Sequence, residues 1–365
     1  MWHEHFNSLL NSCTDFSRKE SVLNQINTVT DVDRFNVKHV KDAIKELKKN
    51  KSPGADMVAS EHYIHACEKV NVLLSLLFNC VMIHAFIPKR LMETLIVPII
   101  KDSKGVMTDK DNYRPIALTC VSSKILELLV MHRFKDNLIT NDSQFSFKGK
   151  HSTDMCVFAL KEVVQYYVSK SSPIYLCFMD ASKAFDKVNH WQLFDKLLAC
   201  GIPLYIVRLL CVWYTSQDFI IRWSNVLSSS FNVTNGVRQG GILSPILFNI
   251  FMDDLSILLT RSNIGCHINS KAVNHLFYAD DSVLIAPSPY ALKKLIEICE
   301  QFSNENEILY NPKKTECMFV NTSRWRDLVP PPQFLYGKAL RWVTECKYLG
   351  VFITNDFTDD CDMKR

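Results

Sequence analysis

The stretch HLFYADDSVLIA, residues 275–286, limits what this chain can fold into more than any other. Two adjacent carboxylates, Asp280 and Asp281, interrupt an apolar run of the kind that builds a buried strand. Burying a polar group without a partner costs about 2–7 kcal/mol, and a charge costs more. Two neighbouring acids also repel unless something positive lies between them. Successive side chains of a strand point to opposite faces. The two acids therefore converge only if ADD forms the tip of a tight turn between strands 274–278 and 282–286, a position that suits Asp. A further carboxylate at the end of another central strand would complete a site for hard cations. Asp180, which closes the apolar run IYLCFMD, has that context. Three carboxylates around one or two Mg²⁺ ions would offset the cost, because the metals neutralise the acids and hold both oxygens of a phosphoryl displacement.

The rest of the chain supplies an ordinary globular frame. Its 365 residues are 47% hydrophobic and 22% charged, enough for two or three subdomains. A net charge of +4 does not by itself call for a nucleic-acid partner, so the local distribution of charge matters more. Thirteen dispersed cysteines, with no C-x-x-C pair, read as free thiols of a reducing compartment. The first ten residues lack the basic-then-apolar layout of a signal peptide. The longest apolar run, VLLSLLFNCVMIHAFIP, is interrupted by Ser75, Asn79 and His84 and is too short and too polar to span a bilayer.

Periodicity places helices at residues 36–50, 72–87, 122–138 and near 153–168, with a strand at 94–100. The first of these helices carries Val40, Ile44 and Leu47 on one face and lysines on the other. From residue 174 the order is strand, helix from about Asn189, hairpin-like region 217–235, helix from GVRQGGILSP to about Leu259, and the hairpin VNHLFYADDSVLIA. A helix with Ser288 as N-cap and Pro289 at its first position follows, and then the strand KTECMFV. That alternation predicts an α+β fold of the split β-α-β kind, an antiparallel sheet with helices on one face. Short strands in QFLYGKAL and KYLGVFI precede a polar end containing Asp359, Asp360 and Asp362, read as solvated. His3 and His5 lack companion ligands, and Asp253 and Asp254 are expected to cap or solvate their helix.

A four-residue match such as YADD arises by chance, but its surroundings do not. KKNKSPGAD, NYRPIALTCVSSKILELLVMHRF, QFSFKGKHST, FMDASKAFDKVNH, GVRQGGILSPILFNIFMDDL, FYADD, LYNPKKTECMFV and KYLGV occur in that order. The chain resembles the reverse transcriptase of non-LTR (LINE-type) retrotransposons from about Lys48 to Thr354. The resemblance implies a right-hand polymerase with fingers and a ferredoxin-like palm, the thumb being largely absent because the chain stops soon after Thr354. It divides the chain into an N-terminal extension (1–47), fingers (48–172), palm with a primer-grip-like hairpin (173–354) and a polar tail (355–365). It implies an RNA template, a DNA primer, deoxynucleoside triphosphates and two Mg²⁺ ions, no membrane, and action in a cytoplasmic ribonucleoprotein and the nucleus. The alternative is a non-catalytic nucleic-acid-binding relic.

Carried over position by position, the resemblance makes Asp180 and Asp280 the metal-binding aspartates and Asp281 the adjacent third acid. Phe185 falls at the steric gate against a ribose 2′-hydroxyl, the atom that separates RNA from DNA precursors. Gln239 and Gly240 match the loop lining the nascent base pair, where glycine lets the backbone approach closely. Arg238 is the family's adjacent arginine. Arg114 and Lys148 match positions that hold the incoming triphosphate, and Lys314 a lysine that assists protonation of pyrophosphate. Two departures stand out: Ser146 replaces the family's usual Gly, and Lys148 replaces a frequent Arg, keeping the charge but losing the planar fork.

Overall fold

The computed structural model describes residues 1–134, 140–320 and 328–357; the acidic end and the last residues expected of helix 122–138 lie outside them. The chain forms two compact units, neither continuous in sequence: Met1–Ile139 with Phe185–Phe248, and Thr140–Ala184 with Asn249–Arg365.

The second unit is built on a five-stranded sheet in the order Arg341–Val343, Glu316–Val320, Ile174–Asp180, Asp281–Ala286, His275–Tyr278. Neighbouring strands are antiparallel except for the edge pair Arg341–Val343 and Glu316–Val320, which is parallel. Alternation splits the central strands cleanly. Ile174, Leu176 and Phe178, with Val283 and Ile285, share a core with Val157, Leu160 and Val164 of the helix Thr153–Ser169. Tyr175 and Cys177 occupy the opposite face by register. The helix Pro289–Asn306 packs along the same strands and buries Leu292, Leu295, Ile296 and Cys299. Helices thus cover both faces, where the sequence pattern suggested one. The reason is legible in IYLCFM: a strand apolar at every position has two faces to bury. Ser288 caps the Pro289–Asn306 helix, its hydroxyl accepting from the Ala291 N–H at 3.2 Å, with proline at the first helical position.

The first unit holds the strands Glu93–Ile100 and Tyr113–Thr119, antiparallel in register, with Asp218–Trp223 parallel to the former. Its core includes the helix Trp2–Leu10, whose Phe6, Leu9 and Leu10 meet Ile96, Ala117, Phe219 and Phe231. Residues at the very start of the chain are therefore core material. The helix Val121–Phe134 is buried nearly all round, and Leu204–Thr215 contributes Trp213 and Tyr214. The helix expected at 36–50 spans Val37–Lys45, with Asn36 accepting from the His39 N–H as its cap. Lys41 and Lys45 on its polar face pair with Glu68 and Asp42 at the surface. Among the described residues no helix is long and apolar enough to cross a membrane, and every described cysteine is a free thiol.

Candidate active site

The acids sit where the turn argument requires. His275–Tyr278 and Asp281–Ala286 are joined by a two-residue loop, Ala279–Asp280, with Asp281 opposite Tyr278. Ala279 closes the turn at φ 56°, a left-handed conformation that costs a residue with a Cβ about 1–2 kcal/mol. Asp280 is exposed at the tip, and Asp281, also exposed, opens the second strand. On its other side Asp281 lies directly opposite Asp180 of the central strand. Cross-strand partners share a face, with Cβ atoms about 4.5–5.5 Å apart, and like charges so placed destabilise the sheet. A divalent cation would reverse that sign, and carboxylate oxygens are the donors Mg²⁺ takes.

The same-face pair is thus Asp180 with Asp281, and Asp280 is one residue away in the loop. Among the described residues no three His, Cys, Asp or Glu side chains converge closely enough to hold an ion. The geometry brings two of the three expected acids into opposition and leaves the third adjacent. Asp180 is fixed through its backbone: its N–H donates to the Thr315 hydroxyl at 3.3 Å, and its carbonyl accepts from the Asn311 N–H at 2.8 Å. Lys314 stands exposed in the same Asn311–Thr315 turn, its N–H donating to the Asn311 carbonyl.

The neighbouring loop also belongs to this unit. Residues 143–145 run beside the His275–Tyr278 strand, exchanging backbone hydrogen bonds of 2.8 Å with Phe277. Ser146, one of the two departures noted from the sequence, is fully buried. Its hydroxyl donates to Asn249 Oδ1 at 2.8 Å, and Asn249 Nδ2 returns a bond to the Ser146 carbonyl at 2.7 Å. Asp253 accepts from the Asn141 N–H at 2.8 Å, so it ties down this loop and does more than solvate its helix. Lys148 donates its ammonium to the carbonyls of Thr140 and Asn141 at 3.1 and 2.6 Å. Burial holds its pKa below the usual lysine value, against the pull of Asp142 and Asp253.

In the first unit, Phe185 lies in the short helix Ala184–Lys187 and stacks on Phe248, centroids 4.3 Å apart and planes 12° from parallel. Asp186 beside it is buried and accepts from Gln239 Nε2 at 2.7 Å. The Gln239 carbonyl accepts from the Ala117 N–H at 2.7 Å. Gly240 has φ +118°, and a Cβ there would meet the Ala117 carbonyl oxygen at 2.9 Å, so both backbone and space demand glycine. Asp186, Arg238 and Gln239 line a small cleft with Ala117 and Gly236. Arg114 is exposed on the Tyr113–Thr119 strand, paired in register with Ile99. Arg238 is buried and ion-paired to Glu127, which the sequence reading did not single out. The signal was there: one carboxylate inside KILELLV, where the neighbouring positions are otherwise apolar.

Comparison with known proteins gives the family. The family model described as reverse transcriptase (RNA-dependent DNA polymerase) matches residues 100–353. The chain is 26% identical over 354 residues to the RNA-directed DNA polymerase from mobile element jockey of Drosophila funebris, covering 93% of this chain and 37% of that protein. It is 28% identical over 335 residues to a probable RNA-directed DNA polymerase from transposon BS of Drosophila melanogaster, covering 88% and 36%. To the Pol polyprotein of the type-1 retrotransposable element R2 of Nasonia vitripennis it is 26% identical over 275 residues, 75% of this chain and 26% of that protein. The chain thus spans well under half the length of these relatives. The matched segment takes in both Asp180 and the Ala279–Asp281 turn as well as the Gln239–Gly240 loop, and the chain belongs to the reverse transcriptase (RNA-dependent DNA polymerase) family.

Proposed function

We propose that this chain copies RNA into DNA, extending a primer 3′-hydroxyl with deoxynucleoside triphosphates. The observation that carries the reading is Asp180 in register opposite Asp281, with Asp280 in the loop between the paired strands. Like charges set face to face at an exposed sheet end are costly unless a cation is the intended partner. In this reading the sheet that bears them is the ferredoxin-like palm of a right-hand polymerase, residues 48–172 supply fingers, and the hairpin Glu345–Tyr348 with Val351–Thr354 grips the primer.

Asp280 must turn in from its loop to join Asp180 and Asp281, and the three acids would then hold two Mg²⁺ ions, which when bound supply the positive charge that activates the attacking hydroxyl and neutralises the departing pyrophosphate. The remaining work falls to the protein's own groups. Phe185, kept rigid by its stack on Phe248, places a ring under the sugar and excludes a 2′-hydroxyl. Gln239 and Gly240 present backbone to the nascent base pair. Arg114 and Lys148 orient the triphosphate, and Lys314 delivers a proton to pyrophosphate. For Lys148 this means exchanging two carbonyl acceptors for phosphate oxygens, and charge-assisted bonds favour the exchange. The template and primer are partners of the same reading, as is a place of action in a cytoplasmic ribonucleoprotein and then the nucleus.

The test is primer extension on a primed RNA template with Mg²⁺. Asp280→Asn keeps the size and one acceptor oxygen but removes the charge, so extension should disappear while the unfolding transition stays near that of the unaltered protein. Undiminished extension by this variant would overturn the assignment.

A further inference from the structure

Residues 238–241 form a tight turn: the Gly241 N–H donates to the Arg238 carbonyl at 3.0 Å, and Gln239 and Gly240 are its two central residues. The positive φ of Gly240 is what the third position of such a turn requires. Both feet of this turn rest on one side chain. Glu127, in the helix Val121–Phe134, is fully buried, and its two carboxylate oxygens divide the task. Oε1 accepts from Arg238 Nη2 at 2.6 Å, before the turn. Oε2 accepts from the N–H groups of Ile242 and Leu243, the two residues after the turn and immediately before the helix Ser244–Arg261.

The guanidinium has little else. Arg238 is 2% exposed, its Nε and Nη1 find no hydrogen-bond partner, and its remaining support is the faces of Trp213 and Tyr214, 4.8 and 5.4 Å from its carbon. Taking two charges out of water is expensive, and a buried ion pair is no more stabilising than well-packed apolar residues of the same volume. A pair kept at that cost, bonded to both ends of one four-residue turn, is suited to fixing where the turn sits.

We propose that Glu127 is a positioning residue for nucleotide selection: through Arg238 and the amides of Ile242 and Leu243 it sets the placement of Gln239 and Gly240. This rests on the polymerase reading, in which that turn meets the nascent base pair. Glu127 touches no substrate itself. Its loss leaves the acids of the other unit unaltered, so the effect falls on nucleotide affinity and pairing accuracy.

Two variants separate positioning from stability. Glu127→Gln keeps an acceptor but leaves the buried guanidinium without a counter-charge. The pair Glu127→Leu with Arg238→Met removes both charges at similar volume, so that no charge is left buried alone, but leaves the Ile242 and Leu243 amides without their acceptor. Single-nucleotide extension, thermal unfolding and amide hydrogen exchange are measured on both, and Asp280→Asn serves as the contrasting loss of chemistry. In both variants KM for the correct deoxynucleotide should rise about tenfold, with kcat changing less than about threefold and misincorporation increasing. Exchange should quicken at residues 239–243, and Tm should fall further in Glu127→Gln, which leaves a buried charge alone, than in the apolar pair. If the apolar pair has an unchanged KM, misincorporation ratio and loop exchange, the ion pair is structural only and the proposal falls. If the unaltered protein extends no primer, the polymerase reading falls instead. The exchange of residues 239–243 then decides alone whether Glu127 places the turn, and an unchanged rate rejects it.

Discussion

His275 is the first residue of the strand that leads into the acidic turn, and it should make that unit acid-labile. Its ring is fully buried, with Nδ1 2.7 Å from Asn274 Oδ1 and Nε2 2.6 Å from the Ser256 hydroxyl. Asn274 spends its amide hydrogens on the carbonyls of Leu259 and Ile264, so its oxygen faces the imidazole. Nδ1 therefore carries the proton and Nε2 accepts from Ser256. Burial pushes the His275 pKa down to about 3. An unfolded chain restores it to about 6.5 and so binds more protons than the folded one between those values. Stability then rises with pH: the penalty is absent well above pH 6.5 and grows as pH falls from there toward 3.

Between pH 7 and pH 5 the unfolded histidine becomes almost fully charged and the folded one stays neutral, a change of about 2 kcal/mol. Against a total stability of about 5–15 kcal/mol this should lower Tm by about 4–8 °C. The assay is thermal unfolding followed by circular dichroism at pH 7, 6 and 5, for the unaltered protein and for His275→Gln. The glutamine variant starts less stable, because it disturbs a packed site, but its stability should fall with acid by about 2 kcal/mol less. Parallel pH dependences for the two proteins would refute the reasoning. His190 gives an internal control in the other unit. Burial lowers its pKa to about 4 despite the hydrogen bond from its Nε2 side to the Gly236 carbonyl, and His275→Gln should leave its contribution intact.

Three further outcomes follow from the site. Phe185→Ala should let ribonucleotides compete better with deoxyribonucleotides, read as the ratio of kcat/KM for the two sugars, and an unchanged ratio would return Phe185 to a packing role. Gly240→Ala drives a Cβ to 2.9 Å from the Ala117 carbonyl at a φ of +118°, so it should cost about 1–3 kcal/mol in chemical denaturation and shift the turn more than it unfolds the unit. Ala279→Gly relieves the left-handed strain at the acidic turn and should stabilise by up to about 1 kcal/mol, a gain that disappears if the added freedom of glycine in the unfolded chain outweighs it.

The elements legible in the sequence were those whose cause is local. The Ala279–Asp280 turn follows from two acids in an apolar run, and Ser288 and Pro289 announce their helix by cap chemistry. What stayed hidden depends on partners far along the chain. That helices cover both faces of the sheet was written in the unbroken apolarity of IYLCFM but not in the alternation count that sequence patterns reward. Trp2–Leu10 falls in what the sequence reading set apart as an N-terminal extension, yet its Phe6, Leu9 and Leu10 complete a core with strands around residues 96, 117 and 219. Glu127 was not singled out, and only the fold supplies the arginine and amides, 111 to 116 positions away, that surround it.

The same distinction explains the departure at Ser146. A glycine in that place would lack a side chain to satisfy Asn249, whose amide sits 5% exposed and bonds to Ser146 twice, through hydroxyl and carbonyl. An unsatisfied buried acceptor costs about 1–3 kcal/mol, so serine here belongs with asparagine at 249 and neither residue is interpretable alone. The pair fixes the middle of a loop that Asp253 holds at Asn141, Phe277 holds at residues 143–145, and Lys148 closes on the carbonyls of Thr140 and Asn141. The first ties run to the helix Ser244–Arg261 and to the strand that leads into the acidic turn, and the Lys148 bonds close the loop on itself. A loop restrained at so many points brings Lys148 to a fixed place with its charge already partly desolvated. An ammonium in that state gains more from a phosphate oxygen than a fully hydrated one does, because less water must be removed when the bond forms. Ser146 and Lys148 thus belong to one restrained loop, the serine through Asn249 and the lysine through the carbonyls of Thr140 and Asn141.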